Sequence, residues 1–118
     1  MLIARDFDRL KGVNPRLVAM VAVAATMTTQ QFTVSEGVRT IEKQRQMVKE
    51  GKSKTMQSKH LSGDAVDIYP LTADRKAIDW QGFERLASVM RAAADKLGII
   101  VEWGGSWKQF IDKPHWQI

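Results

Sequence analysis

The sequence predicts an α+β domain, a small and mainly antiparallel sheet with helices packed against it. Three observations lead there. Residues 15–27 and 80–97 carry apolar side chains at helical spacing. Four short runs, 32–35, 65–69, 99–103 and 115–118, read as strands. The two kinds of segment do not follow the regular strand–helix–strand alternation that a parallel sheet needs. A chain of 118 residues is one ordinary domain.

Taken in order, Asn14-Pro15 is an N-cap followed by proline at the first helical position. Leu17, Met20, Val21, Ala24 and Ala25 then share one face. Phe32-Thr33-Val34-Ser35 is a strand. Thr40 caps a second helix, with Glu42 in its first turn and Gly51 as its stop. Residues 52–63 are polar and irregular, hence a loop. Ala65-Val66-Asp67-Ile68-Tyr69 alternates up to Pro70. In the helix predicted over 80–97, Phe83, Leu86, Met90, Ala94 and Leu97 form one stripe and Gly98 ends it. Ile99–Trp103 is a strand, Gly104-Gly105 opens a loop, and His115–Ile118 forms a final strand. Trp80, Trp103 and Trp107 are expected in the core or partly buried.

Composition excludes several classes. There is no cysteine, so no disulfide scaffold, iron–sulfur cluster, thiolate zinc finger or cysteine nucleophile. No run reaches the ~18 apolar residues of a membrane span. The first residues, Met-Leu-Ile-Ala-Arg-Asp-Phe-Asp, lack the pattern of a secretory signal. The net charge of +5 is concentrated between Arg39 and His60, where seven basic residues face two acidic ones. Such a patch suits an anionic partner or a solvated face. It lacks interleaved aromatics and any nucleic-acid motif, so no nucleic-acid partner is expected.

The chemistry resides in two histidines, each near carboxylates. One context is Ser58-Lys59-His60-Leu61-Ser62-Gly63-Asp64-Ala65-Val66-Asp67, the other Asp112-Lys113-Pro114-His115-Trp116. Imidazole and carboxylate are ordinary zinc ligands, and a catalytic zinc takes three of them with one position open. Gly63 lets the chain turn so that His60 and Asp67 face one point, and His115 on a neighbouring strand completes the set. The sheet is therefore expected to carry a zinc site. Asp112, three residues before His115, can reach a water there without ligating the metal. This is the logic of a metallohydrolase: the metal acidifies water, and a carboxylate shuttles the proton from water to leaving group. Each spacing alone is compatible with surface histidines and a structural Asp67.

Together, Ser58-x-His60-x-x-Gly63-x-Ala65-x-Asp67 and Asp112-x-x-His115 resemble the zinc peptidases that include bacterial D-Ala-D-Ala carboxypeptidases and phage L-alanyl-D-glutamate endolysins. The likeness extends to Phe32–Thr40 and to Trp103-Gly104-Gly105-Ser106-Trp107. The resemblance implies that His60, Asp67 and His115 hold zinc and that Asp112 is the catalytic base. It implies that Arg39 binds a carboxylate or oxyanion and that Ser58 positions the peptide. Many members have Glu where this chain has Asp112, and Glu102 is the competing base. Trp116, beside His115, is expected to pack against the metal ligands.

The function implied is hydrolysis of peptidoglycan stem peptides, with the L-alanyl-D-glutamate bond first and a D-Ala-D-Ala carboxypeptidase or D,D-endopeptidase as the alternative. A non-catalytic wall-binding or nucleic-acid-binding module is the alternative of another class. Further expectations are a single catalytic domain over 1–118 with no separate wall-binding domain, a monomer, and an anionic envelope as partner. The site of synthesis is expected to be the host cytoplasm, with action on the wall after release by a pore-forming protein.

Overall fold

A computed structural model describes residues 1–118. Its elements in chain order are α1 (Ala4–Arg9), α2 (Pro15–Met27), β1 (Phe32–Glu36), α3 (Ile41–Lys49), β2 (Ala65–Pro70), α4 (Phe83–Leu97), β3 (Glu102–Trp103) and β4 (His115–Gln117), with a 3-10 turn at Gly104–Ser106. The four strands form one antiparallel sheet in the order β1-β2-β4-β3. The α+β expectation holds.

Strand alternation sorts the sheet into two faces. Phe32, Val34, Val66, Ile68, Trp103 and Trp116 join the core with Leu17, Met20, Val21 and Ala24 of α2 and Phe83, Leu86 and Met90 of α4. Asp67 and His115, set between those positions on β2 and β4, project from the other face. Trp103 stacks on Trp116 with centroids 5.9 Å apart. Beneath the functional face, then, lies a rigid layer of large apolar side chains.

The caps form as the sequence indicates. Asn14 Oδ1 accepts from Arg16 N, and Thr40 Oγ1 accepts from Lys43 N. Gly98 ends α4 in the left-handed conformation at φ 68°.

Four expectations need correction. The first helix, α1, is missing from the sequence reading. Its one buried residue is Asp6, which accepts from Thr33 Oγ1 at 2.6 Å and Val34 N at 2.9 Å and so fastens the N-terminus to β1. Next, α4 begins at Phe83 rather than residue 80. Asp79–Gly82 form a turn in which Gly82 N donates to Asp79 O, leaving Trp80 69% exposed instead of in the core. The third correction concerns β3, which keeps only Glu102–Trp103 of the run 99–103 because β4, its sole neighbour, is three residues long. Ile100 is left 92% exposed. Leu97, finally, is 39% exposed at the last position of the helix.

Candidate metal centre and active-site cleft

Pairing across β2 and β4 places Asp67 opposite His115. His60 arrives from the loop before β2. Gly63, at φ 81°, makes the turn there, and a Cβ on it would stand 2.5 Å from the Gly12 carbonyl oxygen, so only glycine fits. As a result one donor atom from each of His60, Asp67 and His115 lies within 4.8 Å of the others. Asp67 Oδ1 is 3.2 Å from His60 Nε2 and 3.4 Å from His115 Nδ1. The rings meet nearly edge to face, with centroids 5.1 Å apart.

Hydrogen bonds behind the cluster settle which nitrogen of each ring is free. His60 Nδ1 lies 2.8 Å from the Gly37 carbonyl, which can only accept, so Nδ1 carries the proton and Nε2 presents its lone pair. His115 Nε2 lies 2.8 Å from Gln117 Oε1, while Gln117 Nε2 donates to Glu102 Oε2 at 3.2 Å. The carboxylate orients the amide, and the amide oxygen accepts a hydrogen bond from His115 Nε2–H, leaving Nδ1 free. Both free nitrogens face Asp67. Two imidazoles with fixed tautomers and one carboxylate are a donor set that suits zinc, with outer partners of the kind metal sites use.

The electrostatics agree. Burial alone would raise the pKa of Asp67, but the adjacent His115 and His60 outweigh it and hold the carboxyl well below the usual carboxylate range. For His115, burial disfavours the charged form, yet Asp67 and Gln117 carry its pKa above the ordinary value. At the rim of the cluster, Asp112 Oδ2 is 4.0 Å from His115 Nδ1 and its side chain is half exposed. Burial first, then the Asp67 charge, push its pKa up against the pull of His115, His60 and Arg39. A carboxylate whose pKa is raised in this way is a better proton acceptor than a free one, and it stands beside the three candidate donors.

Gly104 sets the position of Asp112. Its carbonyl accepts from Asp112 N at 3.0 Å, and a Cβ there would stand 2.3 Å from the Asp112 carbonyl oxygen and 3.1 Å from His115 Cβ. Gly104→Ala is expected to displace this segment and lower kcat at least about tenfold, since small misplacements are costly. Steady-state kinetics together with a melting curve checks this.

The cluster opens into a cleft of about 710 Å³ between residues 51–60 and 107–112. Arg39 and Ser58 both line it. Ser58 Oγ accepts from His60 N at 3.2 Å. Arg39 is not an exposed cation: it is 7% exposed and pairs with Glu36. A bulge between Val34 and Glu36 sets Glu36 opposite Asp67 and carries the chain on toward Arg39. Burial disfavours ionised Glu36, but Arg39 and Lys43 together bring its pKa below the ordinary value. Gln44, fully buried, accepts from Arg39 Nη1 at 2.8 Å and donates to Ser53 Oγ and the Thr55 carbonyl. It thereby ties Arg39 to the loop that walls the cleft. Gln44→Ala leaves these groups unpaired and is expected to cost about 2 kcal/mol, readable from urea unfolding.

The basic segment is partly neutralised. Lys43 pairs with Glu36, Lys52 with Glu50, and Lys59 Nζ donates to the Ile118 carbonyl. Lys54 lies over the Phe110 ring, 5.7 Å from its centroid, at the mouth of the cleft.

Contrary to expectation, Trp116 does not pack against the candidate metal ligands. It points into the core at 2% exposure because neighbours on a strand face opposite ways. Trp107 takes the place beside His115, with ring centroids 5.2 Å apart, and donates to Glu102 Oε2. Glu102 meets the centre through Gln117 and Trp107 and touches none of the three donors itself. The sequence reading overlooked Gln117, although it sits two residues from His115 on the same face. Gln44 and the Gly37 carbonyl carry no sequence signal of their own.

An α+β sheet with a candidate metal cluster on its open face and an acidic group at the rim has the build of a metal-dependent hydrolase. Comparison with known proteins narrows this. Residues 1–115 match the family model described as phage L-alanyl-D-glutamate peptidase, and the chain belongs to that family. An L-alanyl-D-glutamate peptidase of Listeria phage A118 is 40% identical over 86 residues, which are 72% of this chain and 29% of that protein. One from Escherichia phage T5 is 31% identical over 105 residues, 84% of this chain and 75% of that one. The chain therefore spans less than a third of the first relative's length. The crystal structure of the Serratia marcescens L-Ala D-Glu endopeptidase ChiX superimposes with a TM-score of 0.91 at 40% identity, covering all of this chain and 90% of that one.

Proposed function

We propose that residues 1–118 act as one catalytic unit, a zinc-dependent peptidase that hydrolyses the L-alanyl-D-glutamate bond of peptidoglycan stem peptides. The observation that carries this reading is the His60/Asp67/His115 cluster with its free nitrogens turned inward and Asp112 at its rim. Membership of a family described as L-alanyl-D-glutamate peptidase supports the choice of bond. His60, Asp67 and His115 hold the metal. Zinc, when bound, supplies a Lewis acid for the scissile carbonyl and the attacking water. Asp112 Oδ2 accepts the proton of that water and returns it to the leaving amine. Arg39, oriented by Glu36 and Gln44, meets a substrate carboxylate or the developing oxyanion at the end of the cleft. Ser58 positions the peptide.

The partner is the stem peptide within an anionic envelope. The protein acts as a monomer, on the cell wall, after release from the cell that makes it. No helix is long and apolar enough to cross a membrane.

Digestion of purified peptidoglycan, with and without chelator, tests the reading by mass spectrometry of the released ends. New N-terminal D-glutamate that disappears with chelation and returns with zinc is the expected result. Free D-alanine would assign a carboxypeptidase instead. Intact wall under all conditions would refute a peptidase.

A further inference from the structure

Trp80 stands apart from the other tryptophans. It is 69% exposed, against 9% for Trp103 and 2% for Trp116. Its ring is nevertheless held in place. It lies edge-on to Tyr69, with centroids 6.4 Å apart and planes at 88°, and tilted against Phe83 at 6.2 Å. Tyr69 and Phe83 are themselves 5.8 Å apart, and Phe83 is 4% exposed, so the group is rooted in the core. The backbone is pinned as well. Asp79 N donates to Pro70 O, Gly82 N donates to Asp79 O, and Leu71 bridges Ile78. A flat apolar face ordered in advance loses little conformational entropy when something stacks on it.

The shelf adjoins the metal centre. Tyr69 follows Asp67 by two positions on the same face of β2, about 7 Å along the strand. The register gives the direction. Asp67 pairs with Glu36 and Tyr69 with Thr33, so the shelf lies on the side of Asp67 away from Arg39. The Asp112 segment runs past the same corner. Pro114 O accepts from Ile68 N, and Lys113 Nζ pairs with Glu84 one residue beyond Phe83.

The chemistry of the substrate supplies an occupant. In peptidoglycan the L-alanine of the stem peptide is joined through a lactyl group to an amino sugar of the glycan strand. When the L-alanyl carbonyl sits at the metal centre, that sugar is within about 10 Å of it, at an extended reach of ~3.5 Å per residue. A pyranose ring presents a face of C–H groups that stacks on an indole while its hydroxyls remain in water.

We propose that Trp80, backed by Tyr69 and Phe83, is a glycan-binding platform that stacks on the amino sugar bearing the stem peptide. The assignment rests on the peptidase reading for its orientation, yet it can be tested apart from it.

In the first experiment, zinc-free protein labelled with nitrogen-15 is titrated with a peptide-free tetrasaccharide of alternating N-acetylglucosamine and N-acetylmuramic acid. The Trp80 indole N–H signal, assigned from its loss in Trp80→Phe, is expected to shift and saturate while those of Trp103 and Trp116 stay. A motionless Trp80 signal overturns the platform. In the second, zinc-loaded protein is given glycan-linked stem peptide and the same peptide without sugar. Trp80→Ala is expected to lower the ratio of kcat/KM for linked over free peptide about tenfold, and Trp80→Phe to lower it less. An unchanged ratio overturns the platform. Should the unmutated protein cut neither substrate, the peptidase reading fails and the sugar titration decides the platform alone.

Discussion

Asp112→Asn is expected to lower kcat about a thousandfold, the usual scale for loss of a general base, while one zinc per chain stays bound. The amide keeps the size of the carboxylate but cannot accept a proton. Zinc retention follows from geometry. Asp112 Oδ2 stands 4.0 Å from the nearest ring nitrogen, outside the three-donor cluster, with half its side chain in solvent. Single-turnover kinetics and elemental analysis on the same sample check both halves. Undiminished turnover would remove Asp112 from the mechanism and shift the proton transfer to Glu102, which reaches the centre through Gln117 and Trp107. A non-catalytic wall-binding module would not respond to this substitution at all, so the same measurement separates the two classes of function.

Asp67→Asn is the second large effect. Asp67 is the only carboxylate among the three donors, and both histidines point their free nitrogens at it. Zinc affinity is expected to fall by at least a factor of about 100, the upper range for loss of an outer-sphere partner alone, and activity with it. Competition with a chromogenic chelator measures the first. The zinc-free protein should show a matching pH signature. His115 has a raised pKa despite its burial, because Asp67 and Gln117 favour the charged ring. Its contribution to stability is therefore complete below the unfolded imidazole value, about 6.5, and is lost as pH rises through the folded value. Chelated protein should melt at lower temperature as pH goes from about 6 to about 8. Zinc-loaded protein should do the reverse over that window, because the ligands bind metal only when deprotonated. Calorimetry with and without chelator reads both slopes, and Asp67→Asn should flatten the chelated one.

The His60/Asp67/His115 cluster is legible because each of its residues stands in a local pattern with a structural meaning. The alternation in Ala65–Tyr69 marked a strand and gave Asp67 a face. Gly63 marked the turn that swings His60 toward that face, and the final strand brought His115 alongside. What escaped was of two kinds. Polar residues that become buried look like surface in a sequence: Asp6 anchors α1 and Gln44 anchors Arg39, and neither reveals its partner. Local adjacency also misled. Trp116 follows His115 in sequence yet faces the core, and Trp80 was absorbed into a helical pattern that Gly82 interrupts. In both instances backbone geometry overrode proximity along the chain.

The place of β4 has a consequence for biosynthesis. It lies inside the sheet, between β2 and β3, although it is drawn from residues 115–117. Nothing earlier in the polypeptide can substitute for it. A nascent chain leaving the ribosome carries His60 and Asp67 long before His115 emerges, so it holds two-thirds of a donor set beside an unfilled gap in its sheet. A product truncated ahead of that strand would lack both the third donor and the strand that joins β3 to β2.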